Sequence, residues 1–176
     1  PMQTRKNTAE HHTAFTVTVD AAHGVSTGIS SVDRSHTIRL LANEESTPAS
    51  FVQPGHVFPL RYEEGGVLVR TGHTEGSIDL VRLAGKHPSA VVCEILNKDG
   101  TMARRPQLEE VAKKHNLPIV TIADVIAFRM SHEKLVSRVA ETRLPTEYGL
   151  FKVIAYQSVV DPGEHVALCM GQIDDA

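Results

Sequence analysis

Gly66-Val67-Leu68-Val69-Arg70-Thr71-Gly72-His73-Thr74-Glu75 is the stretch around which the chain is organised. Gly66 to Arg70 is a short apolar run and reads as a buried strand. A helical pattern follows, with Ile78, Leu80, Val81 and Leu83 apolar and Gly85 as a stop signal. Arg70 to Thr74 should therefore sit where a strand turns into a helix, with Thr74 as N-cap and Glu75 in the first turn. Helical N–H groups at such a turn are unpaired and attract anions, and α/β folds place ligands there. Arg70 adds a planar, bidentate donor suited to phosphate. His73 is a metal ligand or an acid/base group near neutral pH. An ordinary strand–turn–helix with an exposed Arg and a capping Thr would use the same residues without a function.

Composition narrows the classes. The 176 residues suit one domain, or one domain plus part of another, and 41% hydrophobic content can build a core. A formal charge of -3 with no basic run leaves no electrostatic footprint for nucleic acid. No apolar run is long enough to span a membrane, and no signal-peptide pattern opens the chain. Cys93 and Cys169 both lie in apolar runs and read as buried free thiols of a reduced, cytoplasmic compartment.

Working outward, Ala14 to Asp20 alternates and is β-branched, so it reads as a strand, with a turn at Ala21 to Gly24. The small-residue loop Val25 to Arg34 lets a ligand approach the backbone, and it feeds a helix carrying Ile38, Leu40 and Leu41, capped by Ser31 or Asp33. Asn43 to Pro54 reads as a polar loop closed by a Pro54-Gly55 turn, with His56 at the start of a short apolar strand. A histidine fixed at such a junction is an acid/base candidate, or a hydrogen-bonded structural group. Ser89 to Leu96 reads as a further strand, interrupted by Glu94. If both sheet faces are covered, that carboxylate must be paired, protonated or bound to a ligand. Asn97 to Gly100 is a turn. Pro106 opens a helix running to His115-Asn116, Leu117 to Ile122 is another strand, and Ala123 to Arg129 a short helix with Ser131 capping a further turn. Past Ser137 to Thr142 the pattern is strands only, Leu150 to Val160 and His165 to Met170 about a Pro162-Gly163 turn, a β-hairpin opening a second domain.

Five motifs resemble one family. Thr27-Gly28-Ile29-Ser30 with Asp33-Arg34, Pro54 to Leu60, Gly72-His73-Thr74-Glu75, Cys93-Glu94-Ile95 and Asp99 to Arg104 are similar, in order and spacing, to 3,4-dihydroxy-2-butanone 4-phosphate synthase of riboflavin biosynthesis. Glu141 to Thr146 and the hairpin resemble the opening of GTP cyclohydrolase II, a domain fused to the synthase in many bacterial and plant proteins. The resemblance implies a mixed α/β sheet with helices packed on it over residues 1–136, a linker at 137–142, and the start of the second domain at 143–176.

It also implies a lyase that converts ribulose 5-phosphate to dihydroxybutanone phosphate and formate with magnesium or manganese, as a cytoplasmic homodimer whose partner molecule is a sugar phosphate rather than a nucleic acid or a membrane. Carried over by motif, His56 and Glu94 are catalytic and His73 is a metal ligand. Arg70, Thr71, Gly72, His73, Thr74 and Glu94 bind substrate, with Thr27 and Asp33 lining the site. The chemistry agrees, because rearranging a sugar phosphate calls for a Lewis acid and for proton shuttles near the operating pH. The family's acidic loop, with a glutamate that ligates magnesium, has no match here; His36 and Gly76 depart from the pattern too. The resemblance thus implies an N-terminally truncated chain, inactive alone, with no zinc site at Cys169. Set against it are a scaffold of the same fold that has lost half its metal site, and a phosphosugar-binding domain of other chemistry.

Overall fold

The structure is a computed structural model that describes residues 6–10 and 13–171. The chain opens on a polar segment, Pro1 to Asn7, which as far as Arg5 lies outside the described residues. The class is α/β, and the two sheets among the described residues are antiparallel. The chain forms two compact units, Pro1–Glu63 with His73–Leu96, and Glu64–Gly72 with Asn97–Ala176.

The first unit is built on strand β1 (Val19–Ala21) paired with β2 (Phe51–Val57). The alternation from Ala14 yields only this short strand and a bridge from Phe15 to Leu60. Register jumps between Val19↔Val57 and Asp20↔Val52, so Gln53 to His56 bulge out of the ladder. Pro54-Gly55 is therefore a bend inside a strand, not a turn ahead of one. A Cβ on Gly55 would run into the Val19 carbonyl carbon and the Asp20 nitrogen, so only glycine lets the bulge fold back over β1.

Helix α1 (Ser31–Leu41) packs on both strands. Its N-cap is Ser30, whose hydroxyl accepts from the Asp33 amide at 3.0 Å; neither Ser31 nor Asp33 caps it. It buries Asp33 and Thr37 at i and i+4, while Val32 is 76% exposed. Thr37 explains this polar face: its hydroxyl accepts from the Ala21 amide at 3.0 Å and donates to the Asp33 carbonyl at 3.1 Å, tying the end of β1 to the helix.

Helix α2 (His73–Leu83) starts one residue before Thr74, which lies inside the first turn and is not its cap. The expected apolar face is not the buried one. Glu75, Gly76 and Asp79 are buried, whereas Leu80 and Leu83 are exposed. Donors from the preceding loop account for it: the Glu63 amide reaches Glu75 Oε1 at 3.3 Å, and the Tyr62 hydroxyl reaches Asp79 Oδ1 at 3.3 Å. Arg82 lies over the Tyr62 ring at 4.5 Å and donates to its hydroxyl at 2.7 Å, closing the set. After α2 the chain is exposed through Ser89 to Leu96 and forms no strand, with a single bridge position at Leu96. Strand propensity is present there, but a strand forms only against a partner.

In the second unit, Gly66 to Leu68 is a 3-10 turn, not the expected strand. Gly65 and Gly66 both hold positive φ, 91° and 64°, and that double left-handed bend is incompatible with a pleated ribbon. Val67, 1% exposed, packs the turn against α4 (Ile122–His132), where Val125 is 3% exposed. Arg129 fastens the contact, donating to the Gly65 carbonyl at 2.8 Å and to both Glu133 oxygens at 2.7 Å. Thr121 caps α4 in a capping box with Asp124, and Ser131 lies within the helix, bonded back to the Phe128 carbonyl.

Helix α3 (Arg105–His115) has Pro106 in its first turn and ends on Asn116 at φ 52°, as its residues predict. Leu117 to Thr121 joins no ladder. Strands β3 (Val136–Thr146), β4 (Gly149–Ser158) and β5 (Glu164–Cys169) form a sheet in the order β3-β4-β5. The β4–β5 hairpin is the one expected, and residues 137–142, expected as a linker, lie within β3. The cysteines are free, but Cys93 is exposed and Cys169 half-buried, so neither is the buried thiol expected from its apolar run.

Candidate active site

A polar cluster of the first unit lies where the β2 bulge meets β1. Asp20 sits in β1 between Val19 and Ala21, all three buried. Its carboxylate accepts the His56 backbone N–H at 2.9 Å through Oδ1 and faces the ring Nδ1 at 2.7 Å through Oδ2. The side chain of Asp20 is 9% exposed and that of His56 is 42% exposed. The pair thus has an inner carboxylate and an outer imidazole. Burial pushes the Asp20 carboxyl up, but hydrogen bonds from the His56 amide and ring, with the attraction of the ring's charge, outweigh it. The group is held below the ordinary carboxylate value.

The small-residue loop closes over this pair. Gly28 is buried at φ 88°, and a Cβ there would enter the Asp20 carboxylate and lie 2.9 Å from His56 Nδ1. Asp33 pins the loop from the helix side. Its carboxylate accepts the Ser26 hydroxyl at 2.7 Å, the Ser26 amide at 3.2 Å and the Gly28 amide at 3.1 Å. The Ser26 hydroxyl is the main cause that holds Asp33 below its ordinary value, against the opposing effect of burial. Asp33 thereby fixes the loop that presents Thr27, which is exposed.

The other expected site residues lie elsewhere along the chain. Arg70, Thr71 and Gly72 end the first segment of the second unit, with the Arg70 amide bonded to the Gly66 carbonyl at 2.9 Å and the Gly72 amide to the Arg70 carbonyl at 2.8 Å. His73 and Thr74 open α2 in the first unit, His73 exposed and Thr74 half-buried. Glu94 lies between α2 and the end of that segment of the first unit and is exposed, so the desolvation expected of a strand carboxylate does not arise. Among the described residues, no three His, Cys, Asp or Glu side chains are grouped to hold a metal ion. His73, a single nitrogen donor, does not make a site for a hard cation that takes several oxygens.

The family model for 3,4-dihydroxy-2-butanone 4-phosphate synthase matches residues 1–128, and that for GTP cyclohydrolase II matches residues 137–176. The chain belongs to the 3,4-dihydroxy-2-butanone 4-phosphate synthase family. Its likeness to solved members of this synthase family is close. It superimposes with a TM-score of 0.81 and 45% identity on RibBX, a two-domain synthase from A. baumannii, over 97% of this chain and 50% of that one. A synthase in complex with two magnesium ions matches with a TM-score of 0.67 and 38% identity, over 76% of this chain and 67% of that one. Among curated relatives, the riboflavin biosynthesis protein RibBA of Salinispora arenicola is 54% identical over 175 residues, 99% of this chain and 42% of the relative. The chain thus spans less than half the length of that relative.

Sequence reasoning singled out His56 as a candidate but not its partner Asp20, which looked like the last residue of an alternating strand. A signal was present: a carboxylate between Val19 and Ala21 in a strand must find a partner once buried.

Proposed function

We propose that this chain carries catalytic and substrate-binding residues for the conversion of D-ribulose 5-phosphate to 3,4-dihydroxy-2-butanone 4-phosphate and formate, a lyase step of riboflavin biosynthesis. The observation that carries the reading is the His56–Asp20 pair: a half-exposed imidazole held by a buried carboxylate, inside the segment that the synthase family model matches. Proton transfer to and from carbon and oxygen is what such an imidazole provides.

In this reading His56 moves protons during enolisation and rearrangement, and Glu94 is the second acid/base group. Arg70, Thr71, Gly72, His73 and Thr74 bind the sugar phosphate, helped by the N–H groups that open α2, and Thr27 borders it from the loop that Asp33 holds. Magnesium or manganese is the cofactor, and His73 is the ligand this chain contributes. The described residues do not hold that ion by themselves, so the roles given are those of side chains alone. The working form is a cytoplasmic homodimer with no nucleic-acid or membrane partner. Residues 1–136 form the synthase part, and residues 143–176 begin the cyclohydrolase part.

A second reading is a catalytically incomplete or scaffold form of the same fold. The test is product analysis of the complete gene product incubated with ribulose 5-phosphate and magnesium. The reading predicts formate and a four-carbon phosphate in equal amounts; substrate binding without formate release favours the second reading.

A further inference from the structure

The reading of His56 as an acid/base group leaves open what fixes its ring, and the inference drawn here rests on that reading. We propose that Asp20 is the positioning residue of this site: it locks His56 in the Nδ1–H form, so that Nε2 is the atom that exchanges protons with substrate, and Gly28 is the residue that makes the lock sterically possible.

Three observations carry the proposal. First, Asp20 holds both ends of one residue. Oδ1 takes the backbone N–H of His56 at 2.9 Å while Oδ2 faces Nδ1 at 2.7 Å. The amide contact fixes where the Cα of His56 lies and the ring contact fixes its rotation, so the imidazole keeps little freedom. Second, the carboxylate is the buried partner and the imidazole the open one, at 9% and 42% side-chain exposure. An ionised carboxylate can only accept, so the nitrogen facing it must donate. In neutral imidazole the proton then sits on Nδ1, and Nε2 is left as the acceptor. Nε2 makes no hydrogen bond among the described residues.

Third, the surroundings are built for this contact and for little else. A side chain at position 28 would occupy the space between the two partners. The φ of 88° there excludes most other residues on backbone grounds as well. Asp33 holds that loop down through the Gly28 amide. A surface ion pair would need no such cradle. The same logic of carboxylate, oriented imidazole and exposed second nitrogen operates in the Ser-His-Asp triad.

The test combines a spectroscopic readout with turnover. Long-range 1H–15N correlation spectra of the histidine rings report which nitrogen of His56 carries the proton, with His56→Gln supplying the assignment. The neutral wild-type ring is expected in the Nδ1–H form, and a wild-type ring in the Nε2–H form overturns the proposal without any variant. Asp20→Asn keeps an oxygen for the His56 amide but turns an NH2 toward the ring, so the ring should switch to Nε2–H. In the complete gene product, kcat for formate release should then fall by about 10²- to 10⁴-fold with KM unchanged. Asp20→Glu, which restores the carboxylate, should recover the Nδ1–H form and part of the rate. An unchanged tautomer and an unchanged kcat in Asp20→Asn overturn the proposal. A switched tautomer together with full turnover in His56→Gln shows that Asp20 orients a ring the reaction does not use. That outcome removes the catalytic role of His56, and the positioning role falls with it.

Discussion

Asp20 and His56 are joined twice, backbone N–H to Oδ1 at 2.9 Å and ring Nδ1 to Oδ2 at 2.7 Å, across the point where β2 bulges away from β1. The bulge is what makes the double contact possible. It removes Gln53 to His56 from the ladder, so the amide of His56 turns to a side chain. A local irregularity of the sheet and the aim of a candidate catalytic ring are therefore one feature.

Gly28→Ala should disrupt that feature directly. The new methyl group would meet the Asp20 carboxylate, and alanine at a φ of 88° is strained in addition. Backbone strain alone costs roughly 1–3 kcal/mol, before any loss of the pair. Urea denaturation should show the midpoint displaced to lower denaturant, and formate release should fall as it does for Asp20→Asn. A variant as stable and active as wild type would mean that the loop does not sit where the structure puts it.

The pH dependence of stability has a definite sign. Asp20 and Asp33 are both held below the ordinary carboxylate value in the folded chain. Each therefore contributes stability that is present above the unfolded-state pKa, about 4, and is lost as pH falls through the lower folded value. Thermal unfolding between pH 7 and pH 3 should show Tm falling at the acid end. Asp33→Asn should lower Tm at pH 7 and flatten the acid fall. A Tm that rises on acidification would contradict the assignment.

Arg129 makes a prediction for the second unit. It joins the Gly65 carbonyl to the Glu133 carboxylate and is only 13% exposed. Arg129→Ala should destabilise this unit by roughly 1.5–3 kcal/mol, the range for hydrogen bonds to a charged group. Hydrogen exchange should rise first in the 3-10 turn at Gly66–Leu68 and in α4. Unchanged protection there would show the contact to be dispensable.

Substrate handling should separate Arg70 from Glu94. If Arg70 holds the phosphate as proposed, Arg70→Ala removes a charge-assisted contact, and KM for ribulose 5-phosphate should rise by a factor that corresponds to roughly 1.5–3 kcal/mol, with kcat less affected. Glu94→Gln keeps the shape and loses the proton-transfer group, so kcat should collapse while binding persists. Equal, small effects of both changes, in steady-state kinetics of the complete gene product, would argue against both roles.

Much of this was legible in the sequence, for reasons that differ by element. Helix α3 followed from Pro106 and Asn116, whose φ preferences act locally, and the turn at Asn97 to Gly100 from its glycine at φ 85°. The β4–β5 hairpin announced itself by alternation about Pro162-Gly163. Family membership was legible because motifs such as Gly72-His73-Thr74-Glu75 are short, contiguous and in order. Other features depend on what the chain meets. Gly66 to Arg70 has the composition of a strand, yet the paired left-handed glycines turn it into a 3-10 bend. Ser89 to Leu96 and Leu117 to Thr121 have strand propensity but form no strand among the described residues. Asp20 stayed hidden because its partner is 36 residues away. Only the Gln53 to His56 bulge brings the two together.

In the function proposed, the half-exposed, Asp20-held imidazole of His56 performs proton transfer on ribulose 5-phosphate. The most direct measurement is the rate of formate release by the complete gene product with magnesium, for wild type and for His56→Gln. Wild type should release formate, and kcat should be lower by about 10²- to 10⁴-fold in the variant, with substrate still bound. Equal rates of formate release from the two proteins would contradict it.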